Sequence, residues 1–281
     1  IAYSLSAISF IFLITVPVLT MRVLAEERRA RTDQLLLTSP VSVGTIVFGK
    51  FLALATIYTI SVLVICIAPV VLLPFGALPV LETYVAIFGF WLYGLACIAI
   101  GEFVSSLTES QVISAVITFA LLFVGYMMQS ITGLISSSGN LLTRILGCYD
   151  LLSPLEDLMS GSFSLTAVVY YLSLIGLCLF LTTQVIQKRR WTVSRRKISL
   201  SVFSVGTVAA GMAIVVALNA GMAMLPETWT SFDVTDQKLY SITDDTREYL
   251  DSLDQDVTIY VLSAKDDADD ILKKTLTNYE E

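Results

Sequence analysis

The chain has 281 residues, of which 56% are apolar and 15% charged, with a mean hydropathy of +0.79. A soluble domain is about 45–50% apolar and about 25% charged, so a soluble globule of this composition would lack the polar surface to cover itself. The net charge of −7 and pI of about 4.7 hide an uneven spread. Residues 1–197 carry 12 basic and 9 acidic residues, 198–225 carry none, and 226–281 carry 5 basic and 15 acidic ones.

There is no histidine, which excludes histidine triads, histidine acid–base work and His-ligated zinc or haem. Cys66, Cys97, Cys148 and Cys178 form no CxxC pair and read as small apolar residues. No metal, cofactor or nucleic-acid site is expected. The chain begins at Ile1 inside an apolar run and stops at Glu281 inside a helical pattern, so it is expected to be a fragment open at both ends.

A bilayer core needs about 20 apolar residues in a helix, and long apolar runs without alternation mean helices rather than strands. Six spans are expected. The first is Ile1–Met21. The second begins near Val43, with its core at Phe51–Leu73. The others are about 84–104, 112–134, 165–186 and 198–225. Arg22, Arg28, Arg29, Arg31 and Lys50 fall between spans one and two, and Lys188, Arg189, Arg190, Arg195, Arg196 and Lys197 between five and six. Six crossings put both basic loops on one side, which the positive-inside rule makes cytoplasmic. The acidic tail then lies outside. The expected fold is an α-helical polytopic membrane protein with six spans, followed by the beginning of an α/β extracytoplasmic domain. Its parts are a membrane domain over 1–190, a basic linker with an extra anchor over 191–225, and the outer domain from 226.

The polar insert Met21–Ser42 is expected to form a surface helix from Arg22 to Leu37, with Glu26–Arg29, Glu27–Arg31 and Arg29–Asp33 pairs along it. Ser39-Pro40 ends it, and Ser42 is a candidate N-cap for the next span. Such a segment reads either as a salt-bridged interfacial helix or as a docking helix that converts a partner's movement into movement of two spans.

The residues Met21-Arg22, Ala25-Glu26-Glu27-Arg28-Arg29, Thr32, Leu35-Leu36-Leu37-Thr38-Ser39-Pro40-Val41-Ser42 and Gly49-Lys50-Phe51 resemble the signature of ABC type-2 exporter permeases, nearest the branch associated with gliding motility. Arg31 departs from it, since that family usually has Gly before the Thr. A second stretch, Gly101, Phe103 and Ser105-Ser106-Leu107-Thr108-Glu109-Ser110-Gln111, resembles a short loop of the same family. The resemblance covers about residues 1–190. It implies a missing first helix, a permease dimer, a separate cytoplasmic ATPase, and a chain that is not itself an enzyme. It also implies an ATPase-coupling interface at Glu26, Glu27, Arg28, Arg29, Thr32, Leu35 and Leu36, with Glu102, Ser105, Thr108 and Glu109 in a second cytoplasmic loop.

Gly44 to Phe51 reads G-x-x-x-x-G-K-F. A P-loop needs Ser or Thr after the Lys to hold Mg²⁺, and Phe51 cannot do so. The glycines are expected to allow close helix packing and Lys50 to snorkel to the membrane face. Glu82, Glu102 and Glu109 lie at span ends, and Glu102 and Glu109 read as solvated loop carboxylates or as contacts to the ATPase or the basic insert. No span has a charge at its centre, which weighs against a secondary transporter. Gln129 and Asn219 read as path-lining groups or as bonds between helices.

The 135–163 segment is expected to be a re-entrant or surface helix. In the tail, Phe232–Thr235 reads as a short strand or extended entry and Asp256–Ser263 as a strand, with helices after each. Asp266, Asp267, Asp269 and Asp270 lack EF-hand spacing and suit a helix N-terminus. Ser231-Phe232-Asp233-Val234-Thr235, Lys238 to Thr243, Thr246 and Val257-Thr258-Ile259 resemble the start of the auxiliary extracytoplasmic component of gliding-associated ABC transporters. The expected role is a permease subunit in the cell membrane. The alternative is a non-transporting scaffold that anchors an envelope or motility complex.

Overall fold

The structure is a computed structural model that describes residues 2–33, 40–75, 79–135, 147–190, 197–225 and 227–234. Long helices dominate it: α1 (Ala2–Thr20), α3 (Val43–Leu72), α4 (Val80–Leu107), α8 (Leu165–Arg190) and α9 (Lys197–Ala223). Each contains a stretch long and apolar enough to cross a membrane. Between them lie the short helices α2 (Ala25–Arg29) and α7 (Ser153–Met159), and the pair α5 (Gln111–Tyr126) and α6 (Met128–Ile135). Ser42 caps α3 as expected, accepting Thr45 N at 3.2 Å.

The fourth expected span is not straight. α5 and α6 meet at a bend of 56°. In a continuous helix the Gly125 carbonyl would accept an amide four residues on. Here it accepts Leu151 N at 3.1 Å. A Cβ at Gly125 would lie 2.6 Å from Leu151 Cδ1, so the absent side chain admits the fully buried Leu151. A diverted backbone bond at a glycine is a recognised cause of a kink.

α4 is the central element, packed by α1, α3, α5, α7 and α8. Most residues of its membrane-length stretch are buried, whereas that of α9 contains no fully buried residue. Small residues make this possible, because they let neighbouring helices approach. Leu158 of α7 rests on Gly89, Tyr58 of α3 on Gly94, and Thr20 of α1 on Gly101. Aromatic bonds complete the seam with α3: Tyr58 OH donates to Phe90 O at 2.7 Å, and Trp91 Nε1 to Thr59 Oγ1 at 3.0 Å. Gly44 and Gly49 do less than expected: a Cβ at Gly44 would only touch Thr183, and one at Gly49 would meet nothing within 4 Å.

α9 lies antiparallel on α8. A Cβ at Gly211 would lie 2.8 Å from Phe180, and farther along Asn219 Nδ2 donates to Ser173 Oγ at 2.8 Å. Asn219 is thus a bond between helices. After α9 and the short α10 (Glu227–Thr230), strand β2 (Ser231–Asp233) pairs antiparallel with β1 (Ser162–Ser164), Phe232 opposite Phe163. The pairing holds the end of α9 beside the start of α8, so the chain crosses and returns between them. Of the strand expected over Phe232–Thr235, Phe232 and Asp233 lie in β2, which starts one residue earlier. The rest of the expected outer domain lies outside the described residues, as do residues 136–146 of the 135–163 segment. Within the described part of that segment, α7 buries Leu155 and Leu158 and leaves Glu156 and Asp157 exposed.

Replacing Gly101 with Val should force α1 away from α4 at a cost of about 1–3 kcal/mol. It should appear as a fall in Tm of the full-length protein in detergent. Gly49→Ala, with open space around it, should leave Tm unchanged or raised.

Candidate functional site

The insert after α1 does not form the single helix expected from Arg22 to Leu37. A turn leads from Thr20 into α2, which stops after Arg29. The reason is at Arg31, whose φ of 58° is left-handed. Arg31 N donates to Arg28 O at 3.2 Å and Thr32 N to Glu27 O at 3.0 Å. That is the bond pair of a Schellman cap, in which the left-handed position is usually Gly. The Gly-to-Arg departure therefore falls at a residue whose backbone favours glycine, the one non-glycine residue with left-handed φ among the described residues.

The start of α2 has no side-chain cap of its own, since Leu24 stands at the N-cap. The acceptor comes from α4 instead. Ser105 Oγ accepts both Leu24 N and Ala25 N at 3.1 Å, and faces Met21 O at 3.4 Å. Leu24, Ala25 and Ser105 are all buried, where an amide without an acceptor is costly. One hydroxyl thus caps a helix 80 residues away in sequence.

Two charged tethers flank this cap. Arg28 donates NH1 to Leu107 O at 2.8 Å and pairs its Nε with Glu109 Oε1 at 3.1 Å. The first bond satisfies a carbonyl in the last turn of α4. Lys50 of α3 donates to Val23 O at 2.9 Å and to Glu27 Oε1 at 2.5 Å. Instead of snorkelling, Lys50 is held by the insert. The Glu26–Arg29, Glu27–Arg31 and Arg29–Asp33 pairs expected along the segment are not formed among the described residues. Glu27 and Arg28 pair across segments instead, because α2 is too short and too tightly docked to pair with itself.

The expected site residues divide accordingly. Glu27, Arg28, Ser105 and Glu109 meet at one place. Glu26, Arg29 and Thr32 are exposed, and Thr32 Oγ1 donates back to Glu27 O at 3.2 Å. Thr108 ends α4 and donates to Ser110 O at 3.2 Å, while Ser110 Oγ caps α5 by accepting Ile113 N at 3.5 Å. Leu35 and Leu36 lie outside the described residues. Glu102 is not a solvated loop carboxylate. It is wholly buried, and neither carboxylate oxygen has a hydrogen-bond partner among the described residues. Lys50 was not singled out as a site residue. As the cation nearest the start of an apolar helix, following an insert that contains Glu26 and Glu27, it carries the signal that marks it.

The arrangement has no catalytic constellation and no metal-ligating cluster among the described residues. It is a mechanical joint: a partly exposed helix pinned to two long helices. The family model for an ABC-2 family transporter protein matches residues 1–186. The chain belongs to the ABC-2 transporter family. The family is a membrane transport component, not itself catalytic, that normally works with a cytoplasmic ATPase subunit, and the chain is accordingly a multi-pass membrane protein of that family. No curated protein and no solved structure matches it significantly.

Ser105→Ala should cost roughly 2–4 kcal/mol, because two buried amides lose their acceptor. Thermal unfolding of the full-length protein in detergent measures it. Arg31→Gly should act in the opposite direction, gaining about 1 kcal/mol by relieving the left-handed backbone, and should slow amide exchange over residues 24–32.

Proposed function

We propose that the chain is the membrane-spanning permease subunit of an ATP-driven exporter, energised by a separate cytoplasmic ATPase that docks on the 22–42 segment. The observation that carries this reading is the joint itself. The insert offers Glu26, Arg29 and Arg31 to solvent while Ser105, Arg28 and Lys50 fasten its other side to α4 and α3. A push on the exposed side therefore reaches the most buried helix of the bundle. A loosely attached surface helix would absorb the same push.

The basic side of the bundle is the cytoplasmic one on this reading. β1, β2 and the acidic tail then face outside, where the tail begins an auxiliary domain fused to the permease. Such a domain would receive cargo or recruit a partner at the outer face. The sequence resemblance to gliding-associated transporters supports the fusion and that branch. It also supports a dimer of permeases in the working transporter. The packing of α9 on α8 through Asn219 and Gly211 supports a sixth span integral to the bundle rather than a free tether.

The exposed and the tethered residues make separable predictions. The full-length protein, co-purified with an ATPase encoded nearby and placed in liposomes, should hydrolyse ATP. Glu26→Ala with Arg29→Ala should lower ATPase association about tenfold and leave the Tm of the permease unchanged. Arg28→Ala should leave association largely intact and lower transport-coupled hydrolysis. Unchanged association and turnover in both variants would overturn the docking role of this segment.

A further inference from the structure

Glu102 is the side chain that the tethering network leaves out. It stands on α4 three residues before Ser105, so the two lie one turn apart on neighbouring positions of the helix surface. It is 0% exposed, and both oxygens lack a partner among the described residues. Three buried hydroxyls near this end are bonded elsewhere: Thr20 to Val16 O, Thr182 to Cys178 O, and Ser105 to the insert. A buried carboxylate without a partner is costly and is seldom kept without a use.

Lys50 is the cation whose field reaches it. Both hydrogen bonds of the Lys50 ammonium go to the insert, at Val23 O and Glu27. Val23 adjoins Leu24, whose amide rests on Ser105, so the ammonium is held at the turn that sits about one α4 turn from Glu102. The Lys50 side chain is only 19% exposed. If the insert moves away, a largely buried cation loses both partners beside a buried carboxyl group that has none.

We propose that Glu102 is the second seat of the Lys50 ammonium: displacement of the insert from Ser105 transfers Lys50 from Val23 and Glu27 to Glu102. The four-carbon stem of Lys allows the swing. The exchange gives the joint two discrete arrangements instead of a continuous range. In the docked arrangement Lys50 clamps the insert. In the displaced one it pins α3 to α4 and keeps the insert from falling straight back. No covalent bond between heavy atoms changes. The proposal rests on the coupling reading for what drives the insert, but the exchange belongs to this chain alone and is testable without any ATPase.

The full-length protein, with Cys66 and Cys148 replaced by Ser, is spin-labelled at Thr32→Cys and Leu107→Cys and reconstituted in lipid nanodiscs. Both label positions are exposed. The interlabel distance distribution should show one main population. Glu27→Gln weakens the first seat and should add a second, longer population. Adding Glu102→Gln should then shrink that population at least about threefold, since Lys50 has lost its destination. No second population in Glu27→Gln, or an equal one in Glu27→Gln/Glu102→Gln, overturns the proposal. A separate measurement guards against a poorly folded double variant. Its Tm should lie within a few degrees of that of Glu27→Gln, and an undiminished second population in a double variant that meets this condition overturns the proposal. Because no ATPase is present, failure of the docking reading would leave both results untouched.

Discussion

A helix that leaves the membrane and turns back must find acceptors for the amides of its next turn. Here that requirement is met by one hydroxyl. Ser105 Oγ receives two backbone amides of the insert, and everything else at this end follows from where it places them. It fixes the start of α2, brings Arg28 to the last turn of α4, and sets the Val23 carbonyl where Lys50 can reach it. The hydroxyl can do this only because Gly101 and Ser105 leave α4 thin enough for Thr20 and Leu24 to approach.

The division of charge on α2 then has a physical meaning. Individually the ion pairs are weak: Arg28–Glu109 is partly exposed, Glu109 at 66%, and such pairs contribute about 0–1 kcal/mol. Their value is geometric. Arg28 ties the insert to the end of α4 and Lys50 ties it to α3, so the insert cannot rotate on the Ser105 cap without breaking one of them. The opposite side, with Glu26 and Arg29, is left for a partner. The buried cap supplies the energy and the half-exposed tethers supply the direction.

The long helices were legible in the sequence because membrane spans are read from apolar length, and α3 began at its Ser42 cap as expected. The residues of the joint were legible as a set, through two motifs far apart in the chain. Their roles were not. A tertiary cap leaves no local pattern, so Ser105 looked like one more loop residue. The i,i+4 spacing suggested pairs within the insert, but spacing cannot foresee the left-handed break at Arg31 that shortens α2 and frees Glu27 for Lys50. The bend at Gly125 was hidden for a similar reason: it depends on Leu151 arriving from elsewhere. The strand β1 is three residues long and acquires meaning only from β2, beyond the following two spans. The position of Glu102 at a span end suggests water, whereas tertiary packing buries it completely.

The central claim is that the insert is locked to α4 through its backbone. Site-resolved hydrogen–deuterium exchange at the Leu24 and Ala25 amides of the full-length protein in nanodiscs tests it most directly. If Ser105 holds them, both amides exchange as slowly as the last turns of α4 and become fast in Ser105→Ala, while exposed Arg29 changes little. Exchange at Leu24 and Ala25 as fast as at Arg29 in the unsubstituted protein would contradict the lock and the transmission of force built on it.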